Sequence, residues 1–348
     1  VAEYERTLRW PEPFGGWNGF TTDTGLCNRI LHWEVAYEIN RKNDFKYYIL
    51  LEEKYWPENK LLDLPTTKTI TNIEGDPHEV EKLKFIAVYD TINKKINTAT
   101  PLYTNDIEKM FKNNEFKLED KGHYYSNFGY RELTNLYTKK DFEKIERPLS
   151  KIKLKHKSVE ESIINEMKNV VGIHIRRGNG IPYTTDDLNS LPENKRDKFS
   201  LIKRVITEQS NSTYSFHRDI LYFNIMDNML KINPNQKFYI STDVPDEIMD
   251  YFYKKYKNNL VDKTFILNVV YDYILNSGFK KSDFVYGNVI ENLVDLFSLS
   301  YTSFLVKVPT STWSNFAENY TKKESVFVTD DWRKTIKDKY LKVLETMI

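Results

Sequence analysis

The chain has 348 residues, 40% of them apolar, which fits one large or two ordinary globular domains. Its 51 basic and 50 acidic residues leave a net charge of +1, which argues against non-specific binding of nucleic acid or anionic membrane as its task. The single cysteine, Cys27, excludes an intramolecular disulfide, and no apolar run approaches the roughly 20 residues of a membrane span.

A reducing, cytoplasmic setting is therefore expected, with no signal peptide visible, and a start at Val1 fits a piece of a longer protein. Two glycosylation-like triplets, at Asn211 and Asn319, are short patterns common by chance.

In chain order, PEPFGGWNGFTTDTGLCNRI is rich in Gly, Pro and Thr and reads as loop. Leu26, Ile30, Trp33, Tyr37 and Ile39 then recur near a 3.6-residue period, with Arg29, Glu34, Glu38 and Asn40 between them, and predict an amphipathic helix. KYYILLEE (46–53) and KLKFIAVYD (82–90) read as strands, and 105–112 as a helix. KIKLKHKSVEE (151–161) reads as an exposed edge or linker.

From residue 159 the pattern becomes regular. Helices are predicted at 159–169, 216–231, 246–256, 289–300 and from about Thr312. Strands are predicted at 170–176, 237–242, near 263–270, at 303–309 and at 325–329. Trp332, Ile336, Tyr340 and Leu344 predict a last helix, with Asp330-Asp331 at its N-terminus, where acidic groups suit the dipole. Alternating strands and helices imply βαβ units and a mostly parallel sheet, an α/β fold that binds ligands beyond the C-terminal ends of its strands.

Three polar clusters follow apolar strands in this way: HIRRGNG, Ser241-Thr242-Asp243 and Thr310-Ser311-Thr312. Alternation along a strand puts His174 and Arg176 on one face and Ile173 and Ile175 on the other. An arginine fork suits phosphate, and Gly178 and Gly180 permit a tight turn. The competing reading is an arginine-flanked surface turn with ion-pair partners. The hydroxyls of Thr310, Ser311 and Thr312 precede a helix, where they form either an anion site or a plain N-cap. TGLCNRI places Gly25, Asn28 and Arg29 around another helix start, without P-loop or dinucleotide-fingerprint spacing. The six histidines are scattered, no Asp-x-Asp triplet occurs, and no metal is expected.

In combination these segments resemble the inverting fucosyltransferase superfamily that includes the α1,6, nodulation, α1,2 and protein O-fucosyltransferases. HIRRGNG resembles its H-x-R-R/H motif, GLCNRILHWEVAY its N-terminal G-x-x-N-R/Q motif, FYISTD its second C-terminal motif, and Asp295 through FLVKVPTSTWSN its third. The resemblance covers roughly residues 15–320 and implies a GT-B-like fold of two Rossmann-like domains facing across a cleft. The expected division is an acceptor-side domain at 1–158, a nucleotide-sugar domain at 159–330, and a terminal helix at 331–348 packing back on the first domain.

The implied donor is GDP-fucose, the acceptor a glycan or glycoprotein hydroxyl, with no metal or other cofactor. His174 and Arg176 would contact the nucleotide, Arg176 at the β-phosphate, with Arg177 beside them. Asp243 and Asp295 would lie in the nucleotide pocket, Asp295 toward guanine, and Thr310, Ser311 and Thr312 would bind phosphate. Gly25, Asn28 and Arg29 would approach the donor from the other domain. The glutamate that relatives carry shortly after the arginine motif is absent, since these positions read IPYTTDD. Asp23 is favoured as the base, with Asp186 and Asp187 as alternatives. Transfer of another GDP-deoxysugar such as D-rhamnose, or an inactive carbohydrate- or nucleotide-binding module, are the competing readings.

Overall fold

The computed structural model describes residues 7–9, 26–45, 48–52, 57–70, 88–90, 95–97, 100–102, 123–126, 147–176, 219–243, 245–278, 289–308 and 311–347. The chain forms two compact units, one of residues 1–155 with 282–289, the other of residues 156–281 with 290–348. The expected strand at 82–90 is described only at its end, and the expected helix at 105–112 lies outside the described residues.

In the first unit, β1 (Thr7–Arg9), β2 (Tyr48–Glu52), β4 (Thr67–Ile70), β7 (Thr100–Leu102) and β8 (His123–Ser126) form a parallel sheet in the order β4-β2-β1-β8-β7. Two antiparallel ladders accompany it: β3 (Leu62–Asp63) with β9 (Lys153–Leu154), and β5 (Val88–Asp90) with β6 (Lys95–Asn97). The lysine-alternating stretch is thus an edge ladder: Lys151, Lys153 and Lys155 are exposed, while Ile152 is buried.

Helix α1 (Leu26–Lys42) has no Gly or Pro and ends on Arg41 and Lys42, which suit the C-terminal dipole. It stops where the Asn43 side-chain Nδ2 donates to the Ile39 carbonyl, at 2.8 Å, and Asp44 and Phe45 turn left-handed. Its polar residues are not a solvated face. Glu34, Glu38 and Asn40 are as buried as Trp33 and Ile39. A buried carboxylate needs a cation, and Arg147 supplies one: its Nε and Nη2 donate to Glu34 at 2.7 and 2.6 Å. Burial still pushes the Glu34 carboxyl up, against the opposing pull of Arg147.

The second unit carries a parallel sheet in the order β11-β10-β12-β13, formed by β10 (Val170–Ile175), β11 (Lys237–Thr242), β12 (Phe304–Lys307) and β13 (Ser325–Phe327). Between its strands run α2 (Lys157–Met167, before β10), α3 (Asp219–Ile232), α4 (Pro245–Tyr256), α5 (Lys263–Asn276), α6 (Val289–Tyr301) and α7 (Thr312–Thr321). Val171, Ile173 and Ile175 of β10 pack on one face with Phe238, Ile240, Phe304 and Val306, beneath Tyr222 and Met226 of α3 and Phe252 of α4. Every residue of β10 is buried, as expected of a parallel strand covered on both faces.

One expectation is corrected here. Residues 263–270 form the start of α5, not a strand. Ile266, Val270 and Ile274 recur every four residues on the buried face, and the Asp262 carboxylate caps the helix by accepting from the Thr264 amide at 2.9 Å. Leu260, bridging Phe238, is the extended residue next to β11. The C-terminal helix α8 (Lys337–Met347), entered through a π-turn at Trp332–Ile336 that Asp331 caps, belongs to the core of the second unit. Ile336, Tyr340 and Val343 complete that core, and the Tyr340 hydroxyl donates to Gln236 Oε1 at 2.8 Å.

Candidate functional site

The C-terminal ends of β11, β10 and β12 lie side by side in the second unit, and the polar side chains that follow them gather there. His174 is in register with Ser241, one strand over. Because side chains alternate, Gly172 and His174 share a face with Tyr239 and Ser241, opposite the apolar core. Helix α6 covers that face closely: a Cβ on Gly172 would stand 2.6 Å from Thr302 Oγ1 and 2.8 Å from Leu299 Cδ1. The glycine lets α6 settle on the sheet, and α6 carries Asp295.

Asp295 organises the polar cluster. Its Oδ1 accepts from the Tyr239 hydroxyl at 2.9 Å and from Lys263 Nζ at 2.6 Å, and its Oδ2 accepts from Ser241. The Ser241 hydroxyl in turn accepts from the Trp313 indole N–H at 3.1 Å. Burial, and next the Asp295 charge, push the Tyr239 hydroxyl well above its usual range, which keeps it a donor. The Lys263 ammonium also sits 4.7 Å over the Tyr239 ring.

His174 is 4% exposed and its Nδ1 has no hydrogen-bond partner. Burial pulls its pKa down to about 4, opposed by Asp295, assisted by Arg176 and opposed again by Asp243. The imidazole is therefore neutral near pH 7 and contributes a hydrogen bond, not a charge. Arg176, half-buried directly after β10, brings the cation. Asp243 is exposed one residue beyond β11.

Ser311 stands at the N-cap position of α7, yet its hydroxyl makes no capping bond and has no partner although the residue is 4% exposed. The plain N-cap reading fails for this hydroxyl. Thr312 is the first residue of α7, partly exposed. Two buried polar atoms without partners, His174 Nδ1 and Ser311 Oγ, thus accompany neighbouring strand ends, with an arginine and a helix N-terminus. Buried polar groups are nearly always hydrogen-bonded, which makes this pair the candidate site among the described residues.

Asp23, Gly25, Arg177, Asp186, Asp187 and Thr310 lie outside the described residues. Asn28 lies in α1 of the first unit. Arg29, also on α1, gives Nη1 to Glu58 Oε2 at 2.9 Å and Nη2 to Glu58 Oε1. Sequence reasoning assigned no role to Tyr239, Lys263 and Trp313. Tyr239, inside FYISTD, and Trp313, inside TSTWSN, carried a signal by lying within those motifs, whereas Lys263 carried none. Among the described residues, no group of three or more His, Cys, Asp or Glu gathers, and no helix is long and apolar enough to cross a membrane.

No family model matches the chain, and no curated protein matches it. Among solved structures, the chain is similar to POFUT1 in complex with GDP-fucose, with 8% identity over 95% of this chain and 100% of that one, at a TM-score of 0.47. It is similar to apo POFUT1 with 9% identity over 95% and 99% of the two chains, at a TM-score of 0.44. A variant of Arabidopsis thaliana FUT1 in complex with GDP matches with 11% identity over 94% of this chain and 70% of that one, at a TM-score of 0.41. At these values the likeness carries no argument, and what the site binds follows from its own residues alone.

Proposed function

We propose that the protein is an inverting, metal-independent glycosyltransferase that moves a sugar, most simply L-fucose, from GDP-fucose to a hydroxyl of a glycan or glycoprotein. The observation that carries this reading is the pair of buried, unpartnered polar atoms, His174 Nδ1 and Ser311 Oγ, beside Arg176 and the N-terminus of α7. A diphosphate answers all of these groups at once. Its oxygens accept from the guanidinium, the serine hydroxyl and the free backbone N–H groups of the first helical turn.

The roles follow from charge. In a single displacement the acceptor oxygen bonds to the anomeric carbon as its bond to the β-phosphate oxygen breaks, and negative charge grows on GDP. His174 is neutral, so stabilising that charge falls to Arg176 and to the dipole and hydroxyls of Ser311 and Thr312. Asp295 reads the base, and Asp243 lies beside the nucleotide. The acceptor proton goes to a carboxylate, for which Asp23 is favoured on sequence alone.

The test is a thermal-shift comparison of GDP and UDP, followed by donor hydrolysis. GDP should raise the melting temperature and UDP should not. Arg176→Ala should fold and lose donor turnover by a factor on the order of 100. Failure of every nucleoside diphosphate to shift the protein, or full turnover in the variant, refutes the assignment.

A further inference from the structure

Asp295 carries more donors than a simple base-reading carboxylate would. A carboxylate offers about four lone-pair positions, two on each oxygen. Oδ1 has both taken, by the Tyr239 hydroxyl at 2.9 Å and by Lys263 Nζ at 2.6 Å. Oδ2 has one taken, by Ser241. That serine cannot turn its proton elsewhere cheaply: its oxygen already accepts the Trp313 N–H, and an indole N–H is a donor only. A single lone-pair position, on Oδ2, is left.

Guanine presents two parallel donors on its Watson–Crick edge, the ring N1–H and the exocyclic amino group, and binds a carboxylate best through both oxygens. The second of these bonds needs a position on Oδ1. Tyr239 and Ser241 are 0% and 1% exposed and fixed in the sheet, so neither can withdraw. Lys263 can. Its side chain is 28% exposed at the first position of α5, and its ammonium has the Tyr239 ring face as an alternative rest.

Resting on the proposed GDP-sugar function, we infer that Lys263 is a latch on the base-reading carboxylate: it occupies Oδ1 of Asp295 until guanine displaces it. The lysine is a positioning residue that sets how strongly the site prefers guanine over a purine with one donor on that edge. Hypoxanthine is such a purine: its N1–H fits the open position on Oδ2 and asks nothing of Lys263. The wild-type protein therefore pays for guanine's second hydrogen bond by breaking an ion pair, and discriminates weakly between GDP and inosine diphosphate.

The experiment is equilibrium binding of GDP and inosine diphosphate to the wild type, Lys263→Met and Lys263→Gln. The ratio of the two affinities is the readout, because the phosphate contribution is common to both ligands and cancels. The ratio should rise about tenfold in both variants, the size of one hydrogen bond to a charged group. In the wild type the same ratio should rise with salt, as screening loosens a partly exposed ion pair, and this arm needs no variant to fold. A ratio that stays constant or falls, while GDP still binds, overturns the latch and leaves the proposed function standing. Absence of GDP binding to the wild type overturns both.

Discussion

His174 is where charge, burial and function meet in one side chain. Its pKa, pulled down to about 4 from an ordinary 6.5, makes a definite claim about stability. The unfolded chain protonates this histidine below about pH 6.5, and the folded chain resists until about pH 4. The stability contributed by the neutral, buried imidazole is thus complete above pH 6.5 and is lost as pH falls through that window, to a total of about 3 kcal/mol. Denaturant unfolding between pH 7 and pH 4 should show the wild type losing about that much more stability than His174→Gln, which cannot titrate. Parallel pH profiles would mean that the imidazole is already solvated. That His174 faces away from Ile173 and Ile175 was legible in the sequence, because side chains alternate along a strand. The network around Asp295 was not: Tyr239 and Lys263, which bond it, and Trp313, which bonds its partner Ser241, come from three elements, and only folding makes them neighbours.

At the scale of elements, the packing of α6 on β10 decides where Asp295 stands. Thr302 Oγ1, the atom an alanine Cβ at position 172 would strike, is held in place: it donates to the Leu299 carbonyl at 2.8 Å and accepts from Lys323 Nζ at 3.1 Å. Turning it aside breaks both bonds, and Leu299 blocks the other direction. Gly172→Ala should therefore cost about 1–3 kcal/mol of stability, as overpacked cores do, and should reduce the thermal shift produced by GDP as α6 lifts. Urea unfolding with and without GDP measures both, and wild-type values for both would show that α6 yields freely. The same scale explains what pattern reading caught and missed. VVGIHI and KFYIST are bounded apolar runs and read correctly as strands. FILNVV in α5 is equally apolar and β-branched, and its four-residue repeat shows only once Ile274 is included. In α1 the period predicted a helix, but not that Arg147, more than a hundred residues away, would let Glu34 go inside.

At the scale of the whole molecule the question is how a chain of net charge +1 manages a ligand as anionic as a nucleoside diphosphate. The answer proposed is local. The charges nearly cancel overall, while one set of strand ends in the second unit gathers an arginine, two unpartnered polar atoms and a helix start. Arg176 and the α7 dipole supply fixed positive potential where the leaving group develops charge, which is the task a divalent ion performs in other designs. If they suffice, hydrolysis of GDP-fucose by the protein should proceed at an unchanged rate in excess EDTA, and added magnesium should not accelerate it. The sugar first released should carry the inverted anomeric configuration, because a single displacement by water on the face opposite GDP leaves no other outcome. Both are read in one NMR time course, run before the free sugar equilibrates. Loss of hydrolysis in EDTA that magnesium restores would move charge neutralisation from Arg176 to a metal. Retained configuration would demand a covalent intermediate, and with it a nucleophile where the proposed mechanism has only a base.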